Sequence, residues 1–224
     1  MSAGSPDVTE LFRPPVPQAA RIPGPAGSLE ARIEDPLPAG AARRVIGVVC
    51  HPHPLHGGTM QNKVVHTAAR ALQEAGAATV RFNFRGVGAS EGRYDNGVGE
   101  LLDALAVVEW SRAHFGCDAL WLAGFSFGAA TALQAATRGA RPLKLVTIAP
   151  PVGRIIVDPV PRPACPWLIV QGDQDELIDL AAVRKWASGY APEPAIAVVS
   201  GAEHFFHGKL GELREAVVRF LRDG

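Results

Sequence analysis

The sequence predicts an α/β fold, with a mostly parallel central sheet and helices on both faces. Two observations carry this. First, short apolar runs of strand length alternate with segments of helix length through most of the chain, and such alternation builds parallel sheets through helical crossovers. Second, one strand passes into a helix with almost no turn between them, at LWLAGFSFGAA (Leu120 to Ala130). A junction that tight needs residues without a Cβ at its crowded positions, which Gly124 and Gly128 supply.

The elements follow in order. RIPGPAGSLEARIEDP reads as a hairpin turning at Pro25 to Gly27. RRVIGVVC is a buried strand, and NKVVHTAARALQEAG an amphipathic helix stopped by Gly76. ATVRFNF is a strand leading into the loop RGVGASEGRYDNG, and VGELLDALAVVEWSRAHFG is a long helix. LWLA is the next strand and AATALQAAT the helix after it, rich in Ala and Leu. LKLVTIAP and PWLIVQG are strands, LAAVRKWASGYA a helix, AIAVVSG a strand and LGELREAVVRFL the final helix. Right-handed crossovers put the loops after these strands on one edge of the sheet, where ligands bind in open α/β folds.

The composition fits one globular domain. The chain has 224 residues, of which 47% are hydrophobic and 20% charged. No repeat or linker divides it, so residues 21–224 are expected to form a single domain behind a proline-rich leader, residues 1–20. That leader lacks the basic start and apolar centre of a signal peptide. The formal net charge is zero, which gives no electrostatic case for a nucleic-acid or membrane partner. No apolar run is long enough to span a bilayer. Cys50, Cys117 and Cys165 are widely spaced and odd in number, which points to a reducing, cytoplasmic setting and to buried thiols. Trp110, Trp121, Trp167 and Trp186 read as core. Nothing in the sequence speaks to oligomeric state.

Chemistry is concentrated in the loops of that edge. The motif G-x-S-x-G places Ser126 at the apex of the strand-to-helix turn, the usual site of an exposed serine nucleophile. A serine needs a base, and the base needs an orienting carboxylate. GDQDELID and GAEHFFHG each follow a strand and provide both. Asp175 is preferred as the acid, because Asp173 suits a turn cap and Asp179 a helix N-cap. His204 is preferred over His207 because it lies nearer the strand end. Ser, Asp and His then occur in the chain order of α/β-hydrolase enzymes.

These contexts resemble the α/β-hydrolase superfamily. HPHPLHGGTMQNKVV and RFNFRGVGASEGRYDNGVGE look like a small lidless bacterial branch of it, distantly similar to dienelactone hydrolase, from about Arg21 to the C-terminus. Dienelactone hydrolases carry a cysteine nucleophile where this chain has Ser126, so their substrate is not carried over. The resemblance implies an α/β-hydrolase fold without a cap and a serine hydrolase acting on an ester or related acyl bond of a small molecule, with no cofactor.

Two further loops complete the expected site. The backbone N–H of Phe127, which follows the nucleophile, is one oxyanion donor, and the loop after the first central strand supplies the other. His53 and Leu55 both fit. Leu55 is preferred because it precedes the bend toward Gly57 and Gly58. The histidines of HPHPLHGG (His51, His53, His56) have poor spacing for a metal site and are expected to act as structural hydrogen-bonders. The glycines of RGVGASEG do not open into a helix, as a dinucleotide site requires, so that loop is expected to support the pocket wall. The stretch PVGRIIVDPVPRPAC is too short for a helical cap, and Val152, Ile155, Ile156 and Val157 could line one wall of an open site. The alternatives are a catalytically silent binding protein of the same fold, or a thioesterase or peptidase.

Overall fold

The computed structural model describes residues 17–37, 45–155 and 160–223. Eight strands form one sheet in the order β1-β2-β4-β3-β5-β6-β7-β8. The hairpin is β1 (Gln18–Gly24) and β2 (Gly27–Glu34), paired in antiparallel register from Gln18↔Ile33 to Gly24↔Gly27. β1 thus begins inside the stretch read as leader. β2 joins β4 (Ala78–Phe82) antiparallel. From β4 inward the sheet is parallel, through β3 (Ile46–Cys50), β5 (Leu120–Phe125), β6 (Lys144–Ile148), β7 (Trp167–Gly172) and β8 (Ala195–Val199).

The central strands are buried on both faces, which is why they read as unbroken apolar runs and not as alternating ones. The sheet divides the core in two. On one face Val48, Leu122 and Ile169 pack with α2 (Val98–Phe115), α3 (Phe127–Ala135) and α4 (Leu180–Ala187). On the other, Val49, Phe125 and Val170 pack with α1 (Lys63–Glu74) and α5 (Leu210–Arg222).

Local signals account for several helix ends. The Asn62 side chain accepts the N–H groups of Val64 and Val65 and starts α1. Gly76, at φ +106°, lies just past its end. Gly116 closes α2 in the left-handed conformation. The buried Glu100 carboxylate reaches back to the N–H groups of Asp95 and Gly97 at 2.9 and 2.8 Å and fixes the start of α2. Past α3 the chain makes one π-helical turn, Ala136–Ala140, that the Ala-rich pattern did not announce. Of the four tryptophans only Trp167 is fully buried; Trp110, Trp121 and Trp186 are half-exposed at the rims of the core. Cys50 and Cys165 are buried and Cys117 is half-buried.

β6 and β7 are joined by residues 149–166, and no helix forms among the described residues of that connection.

Candidate active site

The site begins at the end of β5. Ser126 adopts φ +54° and ψ −118°, a conformation that costs an L-residue energy and persists only where its surroundings impose it. The two flanking glycines show what imposes it. A Cβ on Gly124 would lie 2.0 Å from the Gly128 carbonyl oxygen, and one on Gly128 would lie 2.3 Å from that of Cys50. The helix can therefore start against the strand only if both positions lack a side chain. Gly128→Ala is expected to destabilise the fold by about 1–3 kcal/mol or more, as overpacking against backbone does, and chemical unfolding would measure it.

Ser126 donates its own N–H to the Ile148 carbonyl at 2.9 Å, tying the turn to β6. Its side chain projects toward the loop after β8. His204 Nε2 lies 3.1 Å from Ser126 Oγ, and His204 Nδ1 lies 2.9 Å from Asp175 Oδ2. The His204 ring is almost fully buried and the Asp175 side chain fully so.

Asp175 is held from several directions. Its Oδ1 accepts the N–H groups of Leu177 and Ile178 at 2.9 and 2.8 Å, and its Oδ2 also accepts Gln171 Nε2 at 2.9 Å. Burial pushes this carboxyl up, but the His204 hydrogen bond and charge, with the two backbone N–H groups, outweigh it. The net effect is a carboxyl held below its ordinary range. It is thus ionised and acceptor-only near neutral pH.

The competing residues do other work. Asp173 accepts Ser200 Oγ at 3.1 Å and the Gly201 N–H at 2.6 Å, clipping the loops after β7 and β8 together. Asp179 caps α4 through the N–H groups of Ala181 and Ala182. His207 is exposed and its Nδ1 pairs with Glu203, one turn back. Of these three, none touches Ser126.

The histidine-rich loop leaves β3 and turns through a short 3₁₀ segment, Pro54–His56. His51 is buried; its Nδ1 is 2.6 Å from the Pro52 carbonyl and its Nε2 accepts the Phe84 N–H at 3.0 Å. That pattern puts the proton on Nδ1 of a neutral ring. Burial lowers its pKa to about 4. His53 and His56 stack, with ring centroids 4.3 Å apart. Among the described residues no cluster of three or more His, Cys, Asp or Glu side chains is placed to hold a metal ion.

The backbone N–H groups of the two candidate donors in this loop differ in their surroundings. The Leu55 N–H points at His53 Nδ1, 3.2 Å away, and the Leu55 side chain is largely exposed. His53, the other candidate, lines the cavity at Ser126, and its N–H bonds to none of the described residues. Phe127 opens α3, where a helix leaves its first N–H groups without intrahelical acceptors.

The family model described as X-Pro dipeptidyl-peptidase (S15 family) matches residues 27–160, more than half of the chain. An uncharacterized protein of Rickettsia prowazekii is 35% identical over 210 residues, 88% of this chain and 86% of that protein. The chain belongs to the S15 family. Among solved structures, this S15-family chain is similar to XC6422 of Xanthomonas campestris, described as an α/β serine hydrolase without lid. The TM-score is 0.87 at 46% identity, covering 92% of this chain and 94% of that one. It is also similar to an α/β serine hydrolase homologue of Coxiella burnetii, with a TM-score of 0.85 at 50% identity, covering 90% and 96%. The fold is shared with both and the lidless architecture with XC6422, and the chain is a hydrolase of the α/β type. No helix among the described residues is long and apolar enough to cross a membrane.

The cavity of this S15-family hydrolase measures about 250 Å³ and opens directly over Ser126. His53, His56, Pro151, Arg154, Ile155, Leu177 and Ile178 line it around Ser126 and His204. Of the four apolar residues expected as a wall, Ile155 lines it, Val152 packs into the core, and Ile156 and Val157 lie outside the described residues. Sequence reasoning missed Arg154, Leu177 and Ile178, which reach the cavity from two different loops. It also missed Gln171, whose one trace in the sequence is a lone amide at the end of an apolar strand, and Glu176, which accepts the His204 N–H at 3.2 Å.

Proposed function

We propose that this protein is a lidless serine esterase acting on small acyl esters. The observation that supports it most is the continuous hydrogen-bond chain Ser126 Oγ–His204–Asp175, with spacings of 3.1 and 2.9 Å, at the floor of an open cavity. Ser126 Oγ attacks the acyl carbon while His204 Nε2 takes its proton. The His204 Nδ1–H donates to Asp175, which fixes the tautomer and stabilises the imidazolium. The oxygen of the tetrahedral intermediate accepts hydrogen bonds from the N–H groups of Phe127 and His53. Collapse of that intermediate expels the alcohol, which takes the proton from His204. Water, deprotonated by His204, then attacks the acyl-enzyme and releases the acid.

The S15 family model brings a second reading, cleavage of a dipeptide from a peptide N-terminus. That reaction requires a seat for an ammonium group. Among the described residues no carboxylate lines the cavity, and Arg154 is the one formally charged side chain there. A neutral or electron-rich acyl group suits these walls better than a cationic N-terminus.

An ester panel tests the proposal. With no cap to bury a long chain, added methylenes stay partly in water and forgo the ~0.8 kcal/mol that each buried CH₂ can bring. The value of kcat/KM on p-nitrophenyl esters is expected to peak between acetate and butyrate and then fall, and X-Pro p-nitroanilides are expected to turn over far more slowly. A steady rise through octanoate would reveal a long apolar site. Faster turnover of the X-Pro anilides would favour the peptidase reading.

A further inference from the structure

The loop RGVGASEGRYDNG between β4 and α2 contributes nothing to the Ser126–His204–Asp175 chain, yet one of its hydroxyls reaches the site. Tyr94 Oη lies 3.3 Å from His53 Nε2. His53 Nδ1 accepts the Leu55 N–H, so the neutral ring carries its proton on Nε2 and donates it to Tyr94 Oη. The His53 carbonyl accepts the N–H groups of His56 and Gly58, each at 3.0 Å. Ring and carbonyl of this one residue are therefore both tied.

The ring also spans the two segments that carry the oxyanion donors. Its centroid is 5.1 Å from the Phe127 ring and 5.2 Å from that of Tyr94, and Tyr94 is 6.1 Å from Phe127. Tyr94 itself stands on a fixed base, because the N–H groups of Asp95 and Gly97 are clamped by the buried Glu100 carboxylate.

We propose that Tyr94 is a positioning residue for oxyanion stabilisation, holding the His53 backbone N–H in place relative to the Phe127 N–H through the His53 imidazole. The inference rests on the esterase reading above. Preorganised donors work because they need no rearrangement as charge develops, and a misplacement of about 1 Å can cost on the order of 100-fold. Without the Tyr94 hydroxyl the ring loses its anchor on the side facing away from Leu55, and the donor is free to drift.

Tyr94→Phe removes the hydroxyl and keeps the ring. On a p-nitrophenyl ester it is expected to lower kcat about tenfold, with KM changed less than about twofold. Affinity for an alkyl boronic acid, which forms a tetrahedral adduct on a serine, is expected to weaken in parallel. The ¹⁵N shifts of the His53 ring are expected to report the Nε2-protonated tautomer in both proteins, because the Leu55 N–H still holds Nδ1, with the Nε2 resonance displaced in the variant by loss of the Tyr94 hydroxyl. In a His53→Gln background, adding Tyr94→Phe is expected to cost less than about twofold more. The proposal is overturned if Tyr94→Phe leaves kcat and boronate affinity within twofold of wild type. It is equally overturned if the tenfold loss persists in the His53→Gln background, which would assign Tyr94 a role apart from His53. The Ser126→Ala variant separates the two readings: turnover that survives in it defeats the esterase reading and this inference together, whereas a silent Tyr94→Phe beside an inactive Ser126→Ala defeats this inference alone.

Discussion

His204→Ala is expected to lower kcat/KM on a short p-nitrophenyl ester by about 10⁴-fold or more, and His207→Ala by less than about threefold. The contrast follows from where the loop after β8 sends its two imidazoles. His204 is buried with a ring nitrogen 3.1 Å from the serine oxygen, so its loss leaves the hydroxyl without a base. His207 sits three residues on, exposed, with Glu203 as its partner. Phe206 lies between them, fully buried at φ +55°, and it anchors the loop so that the two histidines diverge. Steady-state kinetics on the two purified variants, with unfolding curves to confirm that both are folded, would read the difference. Equal losses, or the larger loss in His207→Ala, would reassign the base.

Asp175→Asn is expected to lower kcat by a similar factor, about 10⁴-fold, for a different reason. The carboxylate accepts from His204 Nδ1 and Gln171 Nε2 on one oxygen and from two backbone N–H groups on the other. Every neighbour donates. An amide must turn its NH₂ toward one set of donors, and the backbone pair keeps the oxygen. The NH₂ then faces His204 Nδ1, which must accept, and the imidazole carries its proton on Nε2, toward Ser126. A base protonated there cannot activate the serine. The same conflict with Gln171 leaves buried donors opposed and is expected to reduce stability by about 1–3 kcal/mol. The pH dependence has a definite sign. A carboxyl held below its ordinary value contributes stability that is fully present above its unfolded pKa of about 4 and lost as pH falls through the folded value. Asp175→Asn should therefore flatten the acid limb of the stability profile, measurable as thermal midpoints between pH 3 and 7.

The parts of this molecule that were legible in the sequence are those governed by local sterics and periodicity. Buried parallel strands advertise themselves as apolar runs, and the elbow is written in two glycines because any Cβ there would strike backbone at 2.0 to 2.3 Å. Asn62 and Asp179 announce helix starts by caps that depend only on neighbours two or three residues away. The less legible features depend on what a side chain meets after the chain has turned. Leu55 looked free to donate because sequence does not show that His53, two residues earlier, would swing its Nδ1 onto that N–H. Gln171 meets Asp175 only because β7 ends beneath the loop that follows it. Arg154 and Leu177 converge on one cavity from loops after β6 and β7, which only the strand order brings side by side. Tyr94 lies 41 residues from the histidine it touches.

The most direct measurement of the central claim is the intact mass of the protein after treatment with a fluorophosphonate, which traps only an activated serine. One adduct per chain on the wild type and none on Ser126→Ala is the expected result. An adduct that persists on Ser126→Ala, or a wild-type protein that takes up none, would contradict the assignment of Ser126 as the nucleophile.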